Sequence, residues 1–178
     1  LHIDTGKEWR GGQKQVAYLV RAQQEGNLFN PIVVTPIDSP LFIFCVKKAI
    51  ETLPLPLKGE LDFYSALKII RFCKKNNIKI ITAHTAHAHS IALIVKKFLK
   101  KIIFVSIRRV DFPINKNYFS KIKYNNPLVN QYICVSNNIM DILEKSGVSA
   151  KKITVIHSCV DLSGYTEMGT GAGLKKKY

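Results

Sequence analysis

The feature that most constrains this chain is the way its hydrophobic period keeps switching. Short β-rich runs, Asn30 to Thr35, Ile78 to Ala83, Ile102 to Ser106, Gln131 to Val135 and Ile153 to Ile156, alternate with stretches whose apolar residues recur every three or four positions. The clearest helical stretch runs from Asp62 to Asn76, where Phe63, Leu67, Ile70 and Phe72 with Cys73 give an amphipathic pattern. Others follow Gly12 up to Gly26, begin at Ser39-Pro40, cover Ala86 to Leu99, and run from a Ser136 cap to a Gly147 stop. Leu1 to Ile3 and Glu51 to Leu55 supply two more strands. A basic, aromatic loop from Ile107 to about Asn126 carries a short helix near Tyr118. Runs of Ile and Val without strict alternation belong to strands buried on both sides, so the expected architecture is α/β, a mostly parallel sheet covered by helices on both faces. Ligands of such sheets bind beyond the carboxyl ends of the strands. The loops opened by Thr5, Ala83, Ile107, Ser136 and His157 should therefore share one rim.

The first of these loops is the most suggestive. Asp4-Thr5-Gly6-Lys7-Glu8-Trp9-Arg10 leads from the first strand to Gly11-Gly12 and into a helix with Val16, Leu19 and Val20 on one face. A helix N-terminus presents unpaired N–H groups and the positive end of its dipole, which suits an anion. The spacing is neither G-x-G-x-x-G nor a Walker loop. A strand-to-helix turn that needs glycine only for its backbone angles is the competing explanation.

Two further loops carry chemistry. His84, His87 and His89 follow the strand that ends at Ala83; their spacing places them on no single helical face, with no carboxylate or cysteine nearby in sequence, so no metal site is expected. They suit hydrogen bonding to a hydroxyl-rich ligand, or simply helix entry and packing. Arg108-Arg109 offers planar donors for a phosphate or carboxylate, with Asp111 placed to orient one of them; a structural ion pair accounts for the same residues.

Charge narrows the partners. The chain has 27 Lys and Arg against 12 Asp and Glu, a formal +15, which biases encounters toward anions. No aromatic and basic stripe or binding motif points to nucleic acid. Lysine pairs such as Lys74-Lys75, Lys96-Lys97 and Lys151-Lys152 sit near predicted helix ends, where exposed carbonyls favour cations; an anionic membrane surface is the functional alternative. No apolar run reaches the ~20 residues of a membrane span, and the N-terminus lacks a signal-peptide pattern. Cys45, Cys73, Cys134 and Cys159 are far apart, three of them inside apolar patterns, which reads as reduced thiols in a cytoplasmic protein.

Taken together, Glu8-Trp9-Arg10-Gly11-Gly12-Gln13, Thr82-Ala83-His84-Thr85-Ala86-His87-Ala88-His89, Ile133-Cys134-Val135-Ser136 and Lys152-Ile153-Thr154-Val155-Ile156-His157-Ser158-Cys159-Val160-Asp161 resemble, in order, the N-terminal, acceptor-binding domain of retaining family 4 glycosyltransferases of the GT-B fold. The resemblance implies a Rossmann-like three-layer domain over residues 1–163, with 164–178 as the linker and start of a C-terminal donor-binding domain. It implies transfer of a sugar from a nucleotide-sugar co-substrate, without a cofactor, to a hydroxyl of a glycan or lipid-linked glycan. Gly11 and Gly12 would approach the donor diphosphate; Trp9, Arg10, Gln13, His84, His87, Arg108 and Arg109 would face the acceptor, with His84 and Arg108 as catalytic candidates. The family's mechanism is a front-face one in which the leaving diphosphate assists deprotonation of the acceptor. Relatives carry histidine where this chain has Ile107, and glycine, explained by a positive φ, where it has Cys159. A phospholigand-binding module without chemistry and a GT-B sugar epimerase are the alternatives.

Overall fold

The computed structural model of the chain describes residues 1–27, 29–114 and 118–160. Its strands are β1 (His2–Ile3), β2 (Ile32–Thr35), β3 (Glu51–Pro54), β4 (Ile80–Ala83), β5 (Ile103–Arg108), β6 (Gln131–Cys134) and β7 (Ile153–Val155). The helices α1 (Gly11–Glu25), α2 (Pro40–Lys47), α3 (Phe63–Lys75), α4 (Ala86–Phe98), α5 (Tyr118–Tyr124) and α6 (Asn137–Lys145) make the crossovers between them. The strands form one seven-stranded sheet in the order β3-β2-β1-β4-β5-β6-β7, with every neighbouring pair parallel. The order reverses between β1 and β4, and a crevice opens there beyond the strand ends.

Two clusters explain why the strand sequences do not alternate. Ile32 and Val34 of β2 join Ile3, Ile81, Phe104 and Tyr132 beneath α3, α4 and α6, while Val33 packs from the opposite face against Val16, Ala17 and Val20 of α1 and Leu41 and Cys45 of α2. Both faces of β2 are thus dry, which is why Ile32, Val33 and Val34 are consecutive. The double covering stops at β4. On the α1 side of β5 and β6, Ile103 is exposed and Val105, Ile107 and Ile133 are only half-buried.

The helix ends follow local chemistry. Ser39, Asp62, Thr85 and Ser136 each accept a hydrogen bond from the first turn of the helix they cap. The last turns of α2, α3, α4, α5 and α6 all carry lysine, as their sequence placement implies. Lys96 differs from that solvated role: it is buried, and its Nζ donates to the Lys100 and Ile102 carbonyls beyond α4. Gly147, at φ 96°, ends α6 as expected, but at α1 the left-handed residue is Asn27 (φ 52°) and Gly26 remains in the right-handed region. Cys45, Cys73 and Cys134 are buried free thiols whose pKa burial pushes up to about 11; Cys159 is exposed. No helix among the described residues is long and apolar enough to cross a membrane.

Candidate functional site

The rim beyond β1, β4 and β5 is tied together by side chains from the loops themselves. Asp4, at the end of β1, is buried, and its Oδ1 accepts from the Gly6 N–H at 2.8 Å and from Gln13 Nε2 at 3.0 Å. Gln13 Oε1 accepts in turn from the Arg10 N–H at 3.3 Å, so the start of α1 is braced against the strand it follows. A Cβ at Gly6 would lie 2.1 Å from Gln13 Nε2 and 2.9 Å from Asp4 Oδ1, so a side chain there would displace the Gln13 amide from Asp4. Thr5 Oγ1 is 2.7 Å from Thr85 Oγ1, which also accepts from the Ala88 N–H, joining the first loop to the start of α4.

The beginning of α1 is built differently from those of α2, α3, α4 and α6. Its N-cap residue is Arg10, whose guanidinium has no acceptor to offer the first-turn N–H groups. Arg10 pairs instead with Glu8 (2.6 Å) out in solvent. Gly11 and Gly12 then occupy the first two helical positions with no positive φ, and a Cβ at either would meet nothing within 4 Å. The fold itself therefore makes no demand for glycine at these positions, which removes the backbone-angle explanation for the pair.

Facing this helix end is a cleft of about 390 Å³ lined by Gly12, His84, Ser106, Ile107, Arg108 and Arg109 among others. A second of about 280 Å³ lies beside it, between α1 and the Cys159 turn, with Ile107 and Arg109 on both walls. His84 is buried at the end of β4; Arg109 donates from Nη1 to its Nδ1 at 3.1 Å, and its Nε2 lies 3.0 Å from His2 Nδ1. His2 Nε2 is 2.8 Å from Gln23 Oε1 on α1. Burial holds the pKa of His84 well below the ordinary imidazole range and that of His2 at about 3, with Arg109 adding repulsion in both cases. Desolvation also lowers the Arg109 pKa, opposed by the Asp4 carboxylate.

These positions correct several sequence expectations. Arg108 is not on a loop: β5 continues through it, because Ile107 and Arg108 pair with Ile133 and Cys134. It is buried, donates to the Phe112 carbonyl and lies 5.2 Å from the Tyr124 ring, while its Nε has no partner among the described residues. Its cleft-facing role is thus as a wall. His84 has both ring nitrogens committed, which leaves no lone pair for an acceptor hydroxyl. Asp111 is exposed and forms no ion pair among the described residues; the acid that acts on Arg109 is Asp4. His87 is exposed on α4 and Trp9 lies against Phe44 of α2 at 5.9 Å, and neither lines the cleft. Gln13 and Arg10 do line it.

His89 turns into the core, 2.8 Å from Ser106 Oγ and 3.2 Å from the Lys123 carbonyl, with a pKa lowered by burial to about 4. His84 and His89 are thus held by separate partners and His87 is exposed, and the described residues hold no group of three or more His, Cys, Asp or Glu able to take a metal. Cys159 has no positive φ, so this turn accommodates it without strain; its carbonyl accepts from Gln15 Nε2 at 2.7 Å. Ile107 faces the cleft, as a histidine in its place would. The proposed linker, 164–178, lies outside the described residues.

A parallel sheet of this order, with an uncapped helix start and a basic cleft at its switch point, defines a Rossmann-like α/β domain. Residues 9–163 match glycosyltransferase family 4, and the chain belongs to that family. A comparison with curated proteins finds no match. Among solved structures, a glycosyltransferase from Rickettsia africae is 20% identical with a TM-score of 0.73, covering 98% of this chain and 47% of its own. Anabaena HepE in complex with UDP is 14% identical with a TM-score of 0.71, covering 92% and 45%. The UDP-GlcNAc 2-epimerase of Neisseria meningitidis, bound to UDP-GlcNAc, has the same fold at 12% identity and a TM-score of 0.57, covering 87% and 45%. The chain therefore spans less than half the length of these structures, and the fold is shared by transferase and epimerase alike.

Proposed function

We propose that this chain is the N-terminal, acceptor-side half of a glycosyltransferase that moves a sugar from a nucleotide-sugar donor to a hydroxyl of a glycan or lipid-linked glycan. A second domain beyond it would hold the nucleotide. The observation that carries the reading is the start of α1, where glycines that the fold does not need stand at a helix end with no side-chain cap, beside Arg109. Backbone N–H groups fixed there stabilise the charge that grows on a leaving diphosphate without any reorganisation at the moment of bond breaking. The clefts on either side of Ile107 and Arg109 would receive the acceptor.

The full-length enzyme should release nucleoside diphosphate from its donor only when a glycan acceptor is present. Conversion of the nucleotide-sugar to its C2 epimer without acceptor, whether the product stays attached to the nucleotide or is released from it by water, would establish the epimerase alternative instead. For the basic surface we propose peripheral contact with an anionic membrane where lipid-linked acceptors reside. Its electrostatic origin predicts binding to vesicles rich in acidic lipid at low ionic strength and loss of most of that binding at 0.5 M salt. Binding that persists unchanged at high salt would contradict it.

A further inference from the structure

Arg109, His84, His2 and Gln23 form a line of hydrogen bonds that crosses the domain from the cleft to α1, and its direction is fixed by one end. A guanidinium can only donate, so His84 Nδ1 must accept. His84 therefore carries its proton on Nε2 and donates to His2 Nδ1. His2 is left with its proton on Nε2, which donates to Gln23 Oε1. Every atom in the chain has one role, both imidazoles are neutral, and no other assignment satisfies all three contacts. Two buried imidazoles held in a single tautomer form a stiff post.

The free end of that post is Arg109. Among the described residues no partner takes its remaining N–H donors, and it borders both clefts. We propose that His2, a residue remote from the cleft, is a positioning residue: through His84 it sets the Arg109 guanidinium at the rim, where it receives an anionic group of the ligand. The identity of that group as the donor diphosphate rests on the function proposed above; the post itself does not. Gln23 supports it from α1, so the anchor of Arg109 is the same helix whose other end offers its N–H groups to the anion.

Two measurements on the protein test this. Nitrogen-15 spectra of the histidine rings should show His84 and His2 each with a protonated Nε2 and an unprotonated Nδ1 at pH 7; an Nδ1–H tautomer or an imidazolium at His84 would overturn the proposal. In the second, His2→Asn keeps an acceptor oxygen near the Nδ1 position, whereas the isosteric His2→Leu removes it. His2→Leu should free His84 into a mixture of tautomers, speed hydrogen exchange at the Arg109 guanidinium and weaken UDP binding about tenfold. His2→Asn should restore all three to near wild type. Equal behaviour of the two variants would show that His2 only fills space and would overturn the positioning role. Should the post behave as described while the full-length wild type binds none of UDP, GDP and ADP, the diphosphate reading falls and the His2–His84–Arg109 relation stands.

Discussion

Acidification from pH 7.5 to 5.0 is expected to remove about 4 kcal/mol of folding stability from this domain through His89 and His2, with His84 acting in the same direction, a large share of the whole stability of many domains of its size. The cause is three imidazoles buried in the neutral form. His89 has a pKa of about 4, His2 of about 3, and His84 lies well below the ordinary value, all chiefly because burial penalises the charged ring. In the unfolded chain each takes up a proton near pH 6.5. Between that value and the folded pKa the unfolded state binds more protons, so stability falls as pH falls. It is fully present above about 7 and is lost progressively through the window from 6.5 downward, at about 2 kcal/mol for each of His89 and His2 by pH 5. Urea unfolding at pH 7.5, 6.5, 5.5 and 5.0 should show the midpoint dropping steeply below 6.5. A flat midpoint down to pH 5 would mean that these rings are not buried as neutral groups. Glu60 and Asp62, whose pKa values are lowered although burial alone would raise them, extend the decline at more acid pH: hydrogen bonds and charge from Lys123 act on Glu60, and hydrogen bonds from Ser65 and Lys58 act on Asp62.

The arrangement that creates this liability was the part of the molecule least visible in its sequence. Strand and helix order could be read because buried parallel strands and amphipathic helices each leave a period over many residues, and Ser39, Thr85 or Ser136 mark helix starts by local chemistry. His2 leaves no such trace. It lies in a strand of two residues, and its meaning depends on His84, 82 positions away, and on Arg109. The only available signal was that His2 and Asp4, two apart, share one face of a strand whose other face carries Ile3, so two polar side chains had to be satisfied inside the sheet.

The misplaced residues have the same kind of cause. Arg108 reads as a loop residue after Ser106, but pairing with β6 carries the strand two residues further and buries it. Asp111 is the nearest acid to Arg109 in sequence, while Asp4 is the acid that the β1–β4 pairing brings up to it. Gly11-Gly12 was legible as a pair of glycines at a helix start. Whether the backbone required them was not, because that depends on the φ angles and on the space around each Cα.

That point yields a test in which stability and activity should move in opposite directions. Gly12 is helical and a Cβ there meets nothing, so Gly12→Ala should leave the fold intact and stabilise α1 by a few tenths up to about 1 kcal/mol. Gly12→Leu should melt within a few degrees of wild type, since its side chain enters open space. The same open space is where the proposed diphosphate approaches the α1 N–H groups. A leucine there would hold the anion away from donors that act only at contact, and loss of one such donor costs about 10²- to 10³-fold in rate. Acceptor-dependent release of nucleoside diphosphate by the full-length enzyme should therefore fall by about 10²-fold or more in Gly12→Leu. It should fall by less in Gly12→Ala, with thermal stability retained in both. Full transfer activity in a folded Gly12→Leu protein would show that nothing needs to come close to this helix end, and the assignment of the diphosphate to it would be withdrawn. Loss of both activity and folding would instead mean that the helix start tolerates no side chain, contrary to the space around it.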